Sequence, residues 1–98
     1  MTRRLIVSPE ARADIAEAVA WFRDRSPALP VRFGVEIEST YSSILEHPEM
    51  YPRVYKNFHR AFLNRFPYSV FYVIEPDVVL IVGVVHQARD ESTWKKRS

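Results

Sequence analysis

The sequence contains no cysteine and only two glycines, Gly34 and Gly83, in 98 residues. The first absence excludes disulfides, thiolate metal sites and cysteine nucleophiles. The second excludes a glycine-rich phosphate loop, which needs several glycines close together. There is no Gly-x-Ser-x-Gly elbow either, so Ser8 and Ser69 do not read as hydrolase nucleophiles. With three scattered histidines and no thiol, neither a metal nor any other cofactor is expected. No apolar run approaches the roughly 18 residues of a membrane span. The stretch Leu5–Val7 after Arg3 and Arg4 is too short for a signal peptide, so a cytoplasmic protein without membrane contact is expected.

What is present suffices for one core. Hydrophobic residues make up 47 % of the chain and aromatics 13 %, and the length suits a single domain over 1–98. The net charge is only +2, but it is unevenly placed. Residues 1–50 hold six Lys/Arg against eight Asp/Glu, and residues 51–98 hold eight against four, giving −2 and +4. No acidic residue falls between Met50 and Ile74, where Arg53, Lys56, Arg60 and Arg65 stand. That basic run favours an anionic surface for an acidic protein segment or a nucleic acid.

The periodicity predicts the elements. Leu5-Ile6-Val7 is β-prone and stops at Ser8-Pro9-Glu10, a helix cap, a first-turn proline and a dipole-matched acid. Ala11, Ile15, Ala18, Val19 and Phe22 then recur at helical spacing, predicting a helix from Pro9 to about Arg25. Ser26–Pro30 reverses the chain, and Phe33, Ile37, Tyr41, Ile44 and Leu45 mark a second helix that Pro48 stops. The two should pack as an antiparallel hairpin. Beyond them the period becomes 2, with strands predicted at Arg60–Phe66, Ser69–Ile74 and Val78–Val85 and a turn at Glu75–Asp77. The order β-α-α-β-β-β describes an α+β fold, a helical hairpin on a small antiparallel sheet. Val78–Val85 is apolar on both faces, so something besides the hairpin must cover it, a partner being one candidate.

Few residues read as chemical. Glu36, Glu38 and Glu46 suit a solvated helix face, and His47 and His59 read as a helix end and a surface position. His86 ends the most apolar strand, on the face of Val84, Val82 and Leu80. It reads either as a strand-terminal residue or as an acid/base or polar contact at a binding surface. Tyr51, Tyr55 and Phe58 suit either base stacking or the core. Trp94 with Lys95-Lys96-Arg97 is either a tail folded on the sheet or a free protein-binding hook.

Five segments, in order and with matching spacing, carry a family resemblance. They are Ser8-Pro9-Glu10-Ala11 with Asp14-Ile15, Leu45-Glu46-His47-Pro48, Phe66-Pro67-Tyr68-Ser69-Val70-Phe71-Tyr72, Val84–Arg89 with its His-x-x-Arg, and Trp94. Together they resemble the RelE/ParE superfamily of bacterial type II toxins, nearly end to end. The resemblance implies the same β-α-α-β-β-β fold. It also implies a cognate antitoxin whose C-terminal segment wraps the toxin, giving a hetero-oligomer that meets DNA only through the antitoxin. RelE-like members are ribosome-dependent mRNA endonucleases using Lys/Arg with a Tyr, His or Glu, whereas ParE-like members poison DNA gyrase without catalysis. Here Lys56 is the only lysine before Val85 and no tyrosine follows Tyr72, so the resemblance leans to ParE, without a catalytic set. Target contact is then expected at Arg89, Trp94, Lys95, Lys96 and Arg97, with Arg53, Lys56, Arg60 and Arg65 as the antitoxin-binding or anionic surface. The alternatives are a nuclease using Arg60, Arg65, His86 and Arg89 on ribosome-bound mRNA, and a non-toxic member acting as a protein-interaction domain.

Overall fold

Ser8 begins the first helix as its neighbours suggest. Its hydroxyl accepts a hydrogen bond from the Ala11 amide at 3.1 Å, with Pro9 and Glu10 in the first turn. The computed structural model describes residues 3–97. The elements are β1 (Arg4–Val7), α1 (Pro9–Arg23), α2 (Ala28–Glu46), β2 (Arg53–Tyr55), β3 (Phe58–Phe62), β4 (Tyr68–Ile74), β5 (Val78–His86) and α3 (Ser92–Lys95). The α+β fold with a helical hairpin on the sheet is as read from the sequence.

The sheet has five strands in the order β1-β5-β4-β3-β2. It is mixed rather than wholly antiparallel, because β1 pairs parallel with β5, from Arg4 opposite Val78 to Val7 opposite Ile81. The hairpin carries the chain from one sheet edge to the other. The β2–β5 meander then returns β5 beside β1, running the same way.

The strand predicted at Arg60–Phe66 lies instead at Phe58–Phe62. Past Phe62 the chain leaves the ladder, and Phe66 turns under the helices against Phe22 and Phe33, with centroids 5.1 and 5.2 Å away. Aromatic side chains, Phe22, Phe33, Phe66 and Tyr68, thus join the hairpin to the sheet.

The sheet has a core on each face. Val79, Ile81, Val84, Val70 and Tyr72 pack under the helices, while Phe58, Phe71, Val73, Val82 and Val85 form a second cluster on the outer face. The second cover of β5 is therefore supplied, over this cluster, by the chain's own tail, where Trp94 stacks on Phe71 at 4.0 Å. Tyr55 and Phe58 pack against Trp94, and Tyr51 against Tyr72, so none of the three is presented for base stacking. His59, read as a surface residue, is half-buried, stacked on Tyr72 with Nδ1 2.7 Å from the Tyr51 carbonyl.

Two buried tyrosines make stability sensitive to alkali. Burial, with Glu38 adding to it, pushes the Tyr41 hydroxyl from 10.0 up to about 12. Burial raises Tyr72 as well, and its hydroxyl donates to the Pro48 carbonyl. Folded values above unfolded ones mean a contribution that is complete below about pH 10 and is lost as pH rises through the folded values. The Tyr41 hydroxyl has no protein hydrogen-bond partner among the described residues. Tyr41→Phe is therefore expected to raise stability by about 1 kcal/mol at pH 7. It should also soften the loss between pH 10 and 12, both read from urea midpoints. A less stable Tyr41→Phe protein would contradict this.

Candidate functional site

The far end of β5 is shaped by a bulge. Phe71 faces Gly83 but Tyr72 faces Ile81, so Val82 is the extra residue and side-chain parity reverses there. His86 consequently shares the hairpin face with Val84, while Val82 and Leu80 lie with the outer cluster, correcting the uniform alternation. Two side chains, Asp14 and Arg97, satisfy the bulge. The Val84 amide donates to Asp14 Oδ2 at 2.9 Å. Arg97 Nη1 donates to the same oxygen at 2.6 Å and to the Val82 carbonyl at 3.2 Å, and Nη2 donates to Asp14 Oδ1 at 3.2 Å. A Cβ at Gly83 would meet Arg97 Nη1 at 2.9 Å, so glycine lets the guanidinium reach the strand.

Beyond the bulge, His86–Arg89 forms a tight turn. Gln87 donates its amide to the Pro67 carbonyl at 2.8 Å and Arg89 donates to the His86 carbonyl at 2.9 Å. His86 Nδ1 accepts from the Ala88 amide at 3.0 Å, so in the neutral ring the proton is on Nε2. Its ring meets Tyr68 edge-on at 5.1 Å. Burial raises the Tyr68 pKa, Glu17 adds to this and Arg89 opposes it, which makes that hydroxyl a poorer acid and keeps it protonated.

This turn is the wall between two clefts. One, of about 550 Å³, lies between α1 and the ends of β4 and β5 and is mainly apolar, with Ala18, Trp21, Phe22, Tyr68 and Val84. Trp21 stands half-exposed at its rim with the Arg25 guanidinium 3.3 Å from its ring centroid. The other, of about 270 Å³ on the outer face, is lined by Arg60, Phe62, Ser69, Gln87, Glu91 and Trp94. Val85, His86 and Arg89 line both. Arg89 approaches Glu17 only at 3.8 Å, with both side chains exposed, and remains free to turn to either cleft.

The expected site residues are thus dispersed. Arg60, His86 and Arg89 meet at the outer cleft, Arg60 lying 4.5 Å over Phe62. Arg65 does not join them; it lies beside α2, where Glu36 accepts hydrogen bonds from the Asn64 and Arg65 amides. Glu36 is therefore no freely solvated acid, and only the folded loop brings it to those amides. Arg53 is exposed on edge strand β2, and Lys56 sits in the β2–β3 turn at φ 51°. Strand parity, the β2 register shift and the turn after Phe62 scatter a run that is continuous in sequence. In the tail, Trp94 is buried and Arg97 is held by Asp14, so these two are structural rather than presented for target contact. Lys95 bonds Glu91 at 2.8 Å, which raises its pKa, and lies with Lys56 over the Tyr55 ring; Lys96 is exposed.

Sequence reasoning missed Asp14, Gly83, Trp21 and Glu36. An acid on the first helix at the apolar boundary and a lone glycine in a strand were the available signals for the first two. Among the described residues no group of three His, Cys, Asp or Glu side chains is placed to hold a metal ion, and no helix is long and apolar enough to cross a membrane.

Comparison with known proteins places this geometry. No curated protein matches the sequence significantly. A solved structure titled "Chromosomal ParDE TA system from P. aeruginosa" is similar in fold, with a TM-score of 0.77 at 13 % identity, covering 87 % of this chain and 96 % of that one. The family model for the ParE toxin of the type II toxin–antitoxin system parDE matches residues 5–91. The chain belongs to the ParE toxin family of type II toxin–antitoxin systems.

Proposed function

We propose that this protein is a toxin that acts in the cytoplasm by binding DNA gyrase, without catalysis, and that a cognate antitoxin neutralises it in a hetero-oligomer. The observation that carries the choice is the separation of Arg65 from Arg60, His86 and Arg89, which leaves the nuclease set incomplete at the outer cleft. The end of β5 instead has the make-up of a protein interface. A half-exposed tryptophan, a tyrosine and arginines surround a preformed apolar cleft, residue types that dominate binding energy. With Trp94 and Arg97 inside the fold, target contact falls to Arg89 and Lys96, supported by Trp21.

Purified gyrase should lose supercoiling activity as the protein is titrated in. Arg89→Glu should weaken inhibition by about tenfold or more, as for an interface charge pair that is reversed. Normal supercoiling at saturating protein would sink the gyrase reading. The meeting of Arg60, His86 and Arg89 in one polar cleft favours the endoribonuclease as the second reading. That reading requires transcripts cut within codons after induction and intact transcripts with His86→Ala.

A further inference from the structure

The turn that carries Arg89 rests on three successive amides. Gln87 donates to the Pro67 carbonyl at 2.8 Å and Arg89 to the His86 carbonyl at 2.9 Å. Ala88, between them, donates instead to a side chain, His86 Nδ1, at 3.0 Å. Two of the three bonds therefore end on His86, the last residue of β5, which pairs with Tyr68 on β4. The Tyr68 ring, edge-on at 5.1 Å, packs against the imidazole and limits its rotation.

A side chain that accepts from the amide two residues on makes an Asx turn, ordinarily built by Asn or Asp. Nδ1 stands one bond from Cγ, where Oδ1 of an asparagine would be. Imidazole in that place changes one property. An amide oxygen accepts throughout the physiological range, whereas an imidazole takes up a proton between about pH 5 and 8 and then has only donors. On protonation Gln87 and Arg89 keep their carbonyl partners, and Ala88 loses its acceptor. His59 behaves oppositely: its Nδ1 lies 2.7 Å from the Tyr51 carbonyl, so that nitrogen donates and keeps its bond in both states.

Arg89 depends on this turn for its place. Its side chain approaches only Glu17, at 3.8 Å and with both groups exposed, so the backbone decides where the guanidinium starts from. Groups of both signs face the imidazole: Asp14 and Glu17 on α1, Glu91 before α3, Arg60 on β3 and Arg89 itself, with the Tyr68 hydroxyl on β4. Asp14 is already paired with Arg97 at 2.6 Å.

We propose that His86 is a positioning residue for target contact: its neutral ring holds the turn that presents Arg89, and protonation releases that turn and weakens target binding. The assignment rests on the reading of Arg89 as a gyrase contact. Ala88 is exposed, so water takes over its amide when the bond is lost, and the effect is about fivefold on binding without unfolding.

Two measurements test this. In NMR spectra of the protein alone, the His86 ring at pH 8 should carry its proton on Nε2. Between pH 8 and 5.5 the Ala88 amide should shift, and exchange faster, with the midpoint of the His86 ring. A proton on Nδ1 at pH 8, or an Ala88 amide that ignores the His86 titration, overturns the proposal whatever the target. Binding to purified gyrase is then compared over the same range for wild type, His86→Asn, His86→Ala and His47→Gln, each first checked for native melting. His86→Asn supplies an acceptor that does not titrate, and comparison on the same gyrase cancels the pH dependence of gyrase itself. Relative to His86→Asn, wild type should bind equally at pH 8 and about fivefold more weakly at pH 5.5. His86→Ala should be about fivefold weaker than His86→Asn at both. His47→Gln, exposed just beyond α2, should keep the wild-type profile. Parallel profiles for wild type and His86→Asn overturn the positioning role and leave the gyrase reading standing. No gyrase binding by wild type at any pH, with the NMR coupling intact, overturns the gyrase reading and the positioning role with it.

Discussion

Trp94→Ala is expected to cost about 4 kcal/mol of folding stability, the range of large-to-small changes at a packed aromatic. The side chain is 4 % exposed. It stacks on Phe71 at 4.0 Å with an interplanar angle of 20° and meets Phe58 and Tyr55 at 5.8 and 6.0 Å. Removing it opens the cover over Val82, Val85 and Phe58, and α3, a single turn, has little else apolar to hold it. Against a total of about 5–15 kcal/mol for a domain, that loss leaves a marginal fold. Urea unfolding measures it directly. Lys96→Ala, an exposed neighbour, should change stability by less than about 0.5 kcal/mol. The pair separates two meanings of a lost phenotype in tail variants: Trp94→Ala acts through folding, Lys96→Ala through contact. A Trp94→Ala protein as stable as wild type would make the tail a free hook after all.

Legibility differed with the range of the cause. The hairpin was readable because its determinants are local: Ser8 caps, Pro48 stops, and Phe33, Ile37, Tyr41 and Ile44 mark one buried stripe. The parallel pairing of β1 was not, since four residues alternate the same way in either direction. The face of His86 was misread because period-2 counting assumes an unbroken ladder. One extra residue at Val82 inverts everything after it, and what stabilises that residue lies 68 positions upstream in Asp14 and 15 downstream in Arg97. Likewise the basic run from Arg53 to Arg65 is one cluster in sequence and several surfaces in space, because β2, its turn and β3 send successive side chains different ways. Its charge was legible; its convergence was a question of topology. Trp94 was open from sequence because its stacking partner, Phe71, is on another strand.

Breaking the Asp14–Arg97 pair is the second large effect, expected at about 3 kcal/mol for Arg97→Ala. The side chains are only 15 % and 18 % exposed, so removing the guanidinium leaves a carboxylate short of its charge partner and frees the Val82 carbonyl. Asp14→Ala should cost a similar amount by stranding Arg97 and the Val84 amide. The double variant should lose about 2 kcal/mol less than the two losses added, because neither partner is then left alone. At 2.6 Å and so little exposed, the coupling should also persist in high salt, unlike the surface contact of Arg89 with Glu17. Gly83→Ala gives an independent check. Its Cβ would press on Arg97 Nη1 at 2.9 Å and displace the guanidinium, so it should destabilise the wild type yet cost little more once Arg97 is already alanine. Additive losses at Gly83 and Arg97 would mean that the glycine serves the strand alone. Non-additive losses would make Asp14, Gly83 and Arg97 one unit, through which the tail, the bulge and the first helix together fix the direction of His86.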